Sequence, residues 1–169
     1  VPSAARAFFS GWDRSGSTPP ASVGIHHPNG HEKRITFNDD PLTLMSSCII
    51  AGGPATSHWR IEQYEAGTTE TGSSGSGLWA DQQDEPAGGS NEDELFIGVL
   101  SGGDASCSNP GGYDCYGRLS QAWEGGATAA TRMRDWFDRT GTNPTSLPGM
   151  KVCEPPTLTL ESPAFSSAP

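Results

Sequence analysis

The chain contains no apolar run near the roughly 18 residues that a membrane span requires, so no membrane partner is expected. It is poor in cations. Ten Lys and Arg stand against twenty Asp and Glu, a formal net charge of −10. A surface of that sign repels phosphate backbones and anionic lipid, which excludes nucleic acid and charged membrane surfaces as partners and favours cationic substrates. Cysteine is scarce and wrongly spaced for a metal: Cys48, Cys107, Cys115 and Cys153 form no Cys-x-x-Cys pair. Zinc is therefore not expected, nor any other metal or cofactor, and disulfides in an oxidising, secreted setting are. Four cysteines allow three internal connectivities. Cys107 and Cys115 bracket Ser108-Asn109-Pro110-Gly111-Gly112, a loop that a bridge would staple, and either could instead pair outside the chain. There is no initiator Met and no signal peptide, so the chain is expected to begin inside a longer product or at a processing site.

Glycine and proline are abundant, 22 and 14, and cluster between short apolar runs. That pattern predicts an all-β architecture rich in turns. Strands are expected at 23–27 and 33–37 around a Pro28-Asn29-Gly30 turn, and at 42–50, 58–64, 77–80, 95–101 and 116–123. Over 129–140 the period changes. Met133, Trp136 and Phe137 fall at helical spacing, and Gly141 suits a helix stop. Six or so strands followed by one amphipathic helix describe an antiparallel β-barrel closed by a C-terminal α-helix. Residues 1–141 form the expected domain, and the Pro-, Ser- and Thr-rich stretch 142–169 is a linker or the start of a further module. Between Asp81 and Glu94 lie six acids and no base, which predicts a solvated hairpin loop. Oxygen-rich loops also bind calcium, but this spacing matches no EF-hand.

The most informative stretch is Gly72-Ser73-Ser74-Gly75-Ser76. It has the composition of a flexible linker, but Trp59 and Ile61 alternate with polar residues upstream and Leu78-Trp79 follow, so it reads as a turn between strands. A nucleophilic serine needs small neighbours and a glycine-permitted backbone that aims N–H groups at a developing oxyanion. The stretch resembles the Gly-Asp-Ser-Gly-Gly signature of chymotrypsin-like serine proteases, with Ser73 for the Asp and Ser76 for the last Gly, which makes Ser74 the nucleophile. A lipase-type elbow centred on Ser74 would require glycine where Ser76 stands. The base is harder to find. Only His26, His27, His31 and His58 are available, and none lies in an Ala-Ala-His-Cys-like setting. Pro28-Asn29-Gly30 prevents a helical metal pair from His27 and His31. His26 and His27 read as barrel wall, and His58 as a partly buried strand residue.

Several separated segments agree with the serine motif. They are Ser10-Gly11-Trp12-Asp13-Arg14, Ile25-His26-His27-Pro28, Glu32-Lys33-Arg34-Ile35, Gly98 to Gly103 with Ser106-Cys107-Ser108, and Asp114-Cys115-Tyr116-Gly117-Arg118 ending at Trp123. With 72–76 they make residues 7–140 resemble the C-terminal half of the lysyl endopeptidases, secreted bacterial members of the chymotrypsin-like family. The resemblance implies the second antiparallel β-barrel of a double-barrel serine endopeptidase, whose base His and orienting Asp sit on an N-terminal barrel absent here. It further implies that Ser74 is the nucleophile and that the N–H groups of Gly72 and Ser74 form the oxyanion hole. Ser101, Gly102 and Gly103 would pair with extended polypeptide substrate, and Asp114 would be the acid of the primary specificity pocket. The trypsin-type acid position, six residues before the nucleophile, is Thr68, and Glu70 is the rival pocket acid. Lysyl endopeptidases carry a His where Ser101 stands and a stacking Trp whose counterpart is Tyr64, so the choice between Lys and Arg stays open. A secreted β-barrel that has lost its triad, a binding module rather than an enzyme, is the alternative.

Overall fold

A computed structural model describes residues 8–46, 48, 56–81 and 94–151. Two short strands open the chain, β1 (Phe8–Phe9) and β2 (Gly11–Asp13). A hairpin follows, β3 (Ala21–His26) and β4 (Arg34–Asn38), and then β5 (Thr43–Met45), β6 (His58–Ile61) and β7 (Gly77–Asp81). The long β8 (Leu95–Gly103) runs into β9 (Asp114–Arg118). Two single-turn helices, α1 (Leu119–Ala122) and α2 (Arg134–Phe137), precede β10 (Ser146–Leu147) and β11 (Met150–Lys151).

The main sheet runs β4-β3-β7-β8-β9-β6-β5, every neighbour antiparallel. It curls until the chain beyond β6 meets its first edge: Phe37 N–H donates to Ala66 C=O at 2.9 Å, and Glu65 N–H to Phe37 C=O at 3.0 Å. The architecture is thus the all-β barrel expected from the glycine- and proline-punctuated strands. β2 pairs in parallel with β8 outside this path, and β10 adds to β2. β8 shifts register against both neighbours, at Leu78/Trp79 and at Leu100/Gly102, which bends it around the barrel.

The interior divides into an apolar and a polar part. Trp59, Ile61, Leu78, Ile97, Leu100 and Tyr116 anchor the apolar core. On the β3–β4 hairpin the inward face is polar instead. Ser22, His26, Thr36 and Asn38 are all buried, and Asn38 Nδ2 donates to Ser22 Oγ and Thr36 Oγ1 to Gly24 C=O. The outward face of the same hairpin carries Ile25, Ile35 and Phe37, all exposed, with Ile25 directly opposite Ile35. A second cluster lies outside the barrel. Trp12 and Trp123 pack at 5.0 Å between centroids, Phe137 meets Trp12 edge-on, and Arg14 covers the Trp123 ring at 4.3 Å.

Several sequence expectations change in detail. Of 42–50 only Thr43–Met45 is strand among the described residues, and Ile49 and Ile50 lie outside them. The strand expected over 116–123 runs instead from Asp114 to Arg118 and gives way to α1. The helix expected over 129–140 shrinks to one turn, because Met133 and Phe137 need only reach the Trp12 cluster. The tract from 142 first adds β10 to β2 and β11 to β1, where it was expected to be linker. From 152 it lies outside the described residues, as do 82–93 of the acidic insertion. The Cys107–Cys115 staple is not formed. Cys48 pairs with Cys115, 67 positions apart, and Cys107 is exposed with no disulfide partner among the described residues. Cys115 is fully buried on the paired strand β9, whereas Cys107 sits on an exposed loop. Cys153 is outside the described residues.

A bridge over that separation removes much of the unfolded chain's freedom. The double variant Cys48→Ala/Cys115→Ala is expected to lose about 2–4 kcal/mol in urea unfolding. An unchanged midpoint would show that the bridge does not restrain the barrel.

Candidate functional site

The residues 70–76 make two β-turns in succession. Ser73 N–H donates to Glu70 C=O at 3.0 Å, and Ser76 N–H to Ser73 C=O at 3.1 Å. Gly72 and Gly75 occupy the third position of each turn, with φ of +94° and +85°. Those are the values a type II turn needs there and an L side chain resists, so the two glycines are required by backbone shape. The double turn is anchored to β8 by Gly75 N–H donating to Leu100 C=O and Leu100 N–H donating to Ser76 C=O, at 2.9 and 2.8 Å.

Ser74 follows the corner residue Ser73 and is exposed, whereas Ser73 is buried. The N–H groups of Ser73, Gly75 and Ser76 are all used within the protein. Among the described residues, the N–H groups of Gly72 and Ser74 make no hydrogen bond. Two unused donors thus flank an exposed serine hydroxyl, the elements needed to receive a carbonyl oxygen that gains charge.

β8 and β9 continue from this anchor. Ser101, Gly102 and Gly103 finish β8, and Gly103 lies opposite Asp114, the first residue of β9. Asp114 is 1 % exposed. Its Oδ2 accepts from Thr69 Oγ1 at 2.6 Å and from Tyr64 OH at 2.8 Å, and Tyr64 OH is in turn 2.9 Å from Tyr116 OH. No hydrogen bond is made to Oδ1 among the described residues, and a Cβ on Gly103 would collide with it, so the free oxygen faces the end of β8. Burial pushes the Asp114 carboxyl up to about 6, against the Thr69 and Tyr64 hydrogen bonds, which pull it down. Burial also drives the Tyr64 hydroxyl far above its ordinary value, so Tyr64 stays a donor. The turn, the β8 end and Asp114 are therefore linked through Leu100, Gly103 and Thr69.

No histidine hydrogen-bonds Ser74 among the described residues. His26, expected on the barrel wall, ends the wall strand β3 with its side chain turned inward. It is 2 % exposed, and its Nδ1 lies 2.8 Å from Ser73 Oγ. Burial, and then the neighbouring His27, lower its pKa and keep the ring neutral. His58 Nε2 reaches Ser101 Oγ at 3.1 Å, with Ser57 Oγ on Nδ1 at 2.7 Å, so an imidazole from β6 reaches over β9 to the last part of β8. His27 and His31 lie at the exposed hairpin tip. Sequence patterning missed His26 because it assigns the apolar face of a strand to the core, and in β3 and β4 that face is outside. The signal available was the matched polar run Ser22, His26, Thr36 and Asn38.

A groove of about 430 Å³ is bounded by Pro28, Asn29 and Arg34 of the hairpin tip, by Thr68 and Glu70, and by Cys107. Glu70, the rival acid, lines it, but its Oε1 accepts Cys107 N–H at 2.6 Å, a bond that lowers its pKa. Neither Ser74 nor Asp114 lines this groove. Among the described residues, no cluster of three metal-binding side chains occurs.

A family model described as lysyl endopeptidase, C-terminal domain, matches residues 1–117. The match takes in the double turn, all of β8 and Asp114.

The raised carboxyl of Asp114 has a consequence for stability. Its ionised form is the one folding disfavours, so its contribution is intact below about pH 4 and is lost as pH rises through about 6. Between pH 4 and pH 7.5, Asp114→Asn is expected to gain on the parent by on the order of 2–3 kcal/mol in denaturant unfolding. A stability difference that stays constant with pH would mean the carboxylate is not desolvated.

Proposed function

The chain belongs to the family of the lysyl endopeptidase C-terminal domain, and from that membership we propose that it is the nucleophile-bearing half of a secreted serine endopeptidase that cleaves polypeptides after lysine or another basic residue. The observation that carries the proposal is the double turn, which leaves Ser74 exposed between the unused N–H groups of Gly72 and Ser74. In the proposed reaction Ser74 Oγ attacks the scissile carbonyl, and the two N–H groups hold the oxygen as it becomes an oxyanion. Each such donor is worth on the order of 10²–10³ in turnover. The hydroxyl proton passes to a histidine oriented by a carboxylate, both contributed by an N-terminal barrel outside this chain. The exposed Ile25, Ile35 and Phe37 face is consistent with such a covering body.

Extended substrate adds to the Ser101–Gly103 end of β8 through backbone hydrogen bonds. The P1 cation meets the free Oδ1 of Asp114. An ion pair in so poorly solvated a place exceeds the roughly 0–1 kcal/mol of an exposed one, and losing one partner costs several kcal/mol. The Cys48–Cys115 bridge agrees with a secreted setting.

The test uses the complete product of the gene that encodes the chain. Ser74→Ala should abolish hydrolysis of lysyl peptides. Asp114→Asn should lower kcat/KM after Lys by orders of magnitude and leave Ser74 reactive toward small neutral acylating agents. Full activity in Ser74→Ala would refute the assignment. Peptide binding without turnover in the unaltered protein would establish the binding module instead. Collapse in Glu70→Gln with none in Asp114→Asn would move the pocket charge to Glu70.

A further inference from the structure

Ser73 is the one buried residue in the stretch 70–76, and it belongs to both turns. Its N–H closes the first turn and its C=O closes the second. The residues on either side are exposed and include two glycines, whose backbone alone selects no single conformation. Beside the backbone bonds of Gly75 and Ser76 to Leu100 and of Thr71 C=O to Asn29 N–H, the side chain of Ser73 is the buried side-chain anchor between the N–H groups of Gly72 and Ser74. Ser73 Oγ accepts Glu70 N–H at 3.2 Å, which leaves its own proton free to donate to His26 Nδ1, 2.8 Å away. The anchor point is rigid, because β3 is paired on one side with β4 and on the other with β7, the strand that the double turn leads into.

We propose that His26 is a positioning residue for the reaction at Ser74: through Ser73 Oγ it holds the double turn in the one shape that presents both free N–H groups to the carbonyl oxygen. This rests on Ser74 being the nucleophile. His26 touches neither Ser74 nor a substrate, and its imidazole takes no proton in the reaction. Its second nitrogen, Nε2, is buried and has no partner among the described residues, so one bond of the ring, that to Ser73, carries its effect. The substitution of Ser for the Asp of the common serine-protease signature fits such a partner. A neutral hydroxyl matches a neutral buried imidazole, where a carboxylate would have to bring a charge into the barrel.

The experiment compares His26→Phe, His26→Asn and Ser73→Ala in the complete gene product. His26→Phe keeps the ring's volume and removes the hydrogen-bond partner, and His26→Asn restores a polar atom near the Nδ1 position. With a lysyl ester substrate, His26→Phe and Ser73→Ala should each lower kcat about 10- to 100-fold with KM nearly unchanged, and His26→Asn should recover part of the loss. A peptide aldehyde, which forms an oxyanion on the enzyme, should bind more weakly in step with kcat/KM, while a cationic ground-state ligand such as benzamidine keeps its affinity. Combining His26→Phe with Ser73→Ala should cost no more than either alone. If His26→Phe fails to fold, Ser73→Ala gives the same readings from a smaller change. Unchanged kcat and aldehyde binding in Ser73→Ala or His26→Phe would overturn the role of His26 while leaving the nucleophile in place. Activity that survives Ser74→Ala would instead overturn the nucleophile itself.

Discussion

Polar side chains that enter a barrel interior must find partners there, and here those partners hold the one long irregular segment of the site. Between β6 and β7 the chain runs from Glu62 to Ser76 without a regular strand. It is tied down at three buried polar residues. Tyr64 and Thr69 meet on Asp114 Oδ2, and Ser73 meets His26. An unpartnered buried hydroxyl or carboxylate costs on the order of 1–3 kcal/mol or more, so each of these contacts also opposes every alternative path for the segment. The loop is placed by its buried polar groups rather than by an apolar staple.

That placement separates two tasks that share one motif. Ser73 faces inward and Ser74 outward, one residue apart, because the positive φ of Gly72 and Gly75 reverses the chain twice within seven residues. Hydrogen bonds to β8 then align the turn with Ser101–Gly103, and the pairing of Gly103 with Asp114 brings the carboxylate to the same end of the sheet. Asp114 and the N–H groups of Gly72 and Ser74 are therefore held by one sheet, Asp114 on β9 and the double turn on its neighbour β8. Among the described residues no histidine hydrogen-bonds Ser74: the buried His26 meets Ser73, His58 meets Ser101 and His27 meets the His31 carbonyl.

Much of this was legible in the sequence. Pro28-Asn29-Gly30 and the alternation around Trp59 and Ile61 located strands correctly, and the serine between glycines located the turn. Element ends were less legible. α1 and the shortened α2 follow from the Trp12, Trp123 and Phe137 cluster, a long-range contact that no local period encodes. Cysteine spacing favoured the nearby Cys107–Cys115 loop, yet the bridge formed across 67 positions because the chain just past β5 comes back against β9, with the two Cα atoms 5.9 Å apart. His26 was hidden by an inverted hairpin, polar inside and apolar outside, where the usual rule assigns burial to the wrong face.

The most direct measurement is a structure of the complete gene product trapped by a peptidyl lysine phosphonate. The expected result is a covalent bond from Ser74 Oγ to phosphorus, with the phosphoryl oxygen about 2.7–3.1 Å from the backbone nitrogens of Gly72 and Ser74. The lysine ammonium should lie on Asp114 Oδ1. An adduct on any other residue, or an oxygen that neither nitrogen reaches, would contradict the assignment of this double turn as the catalytic centre.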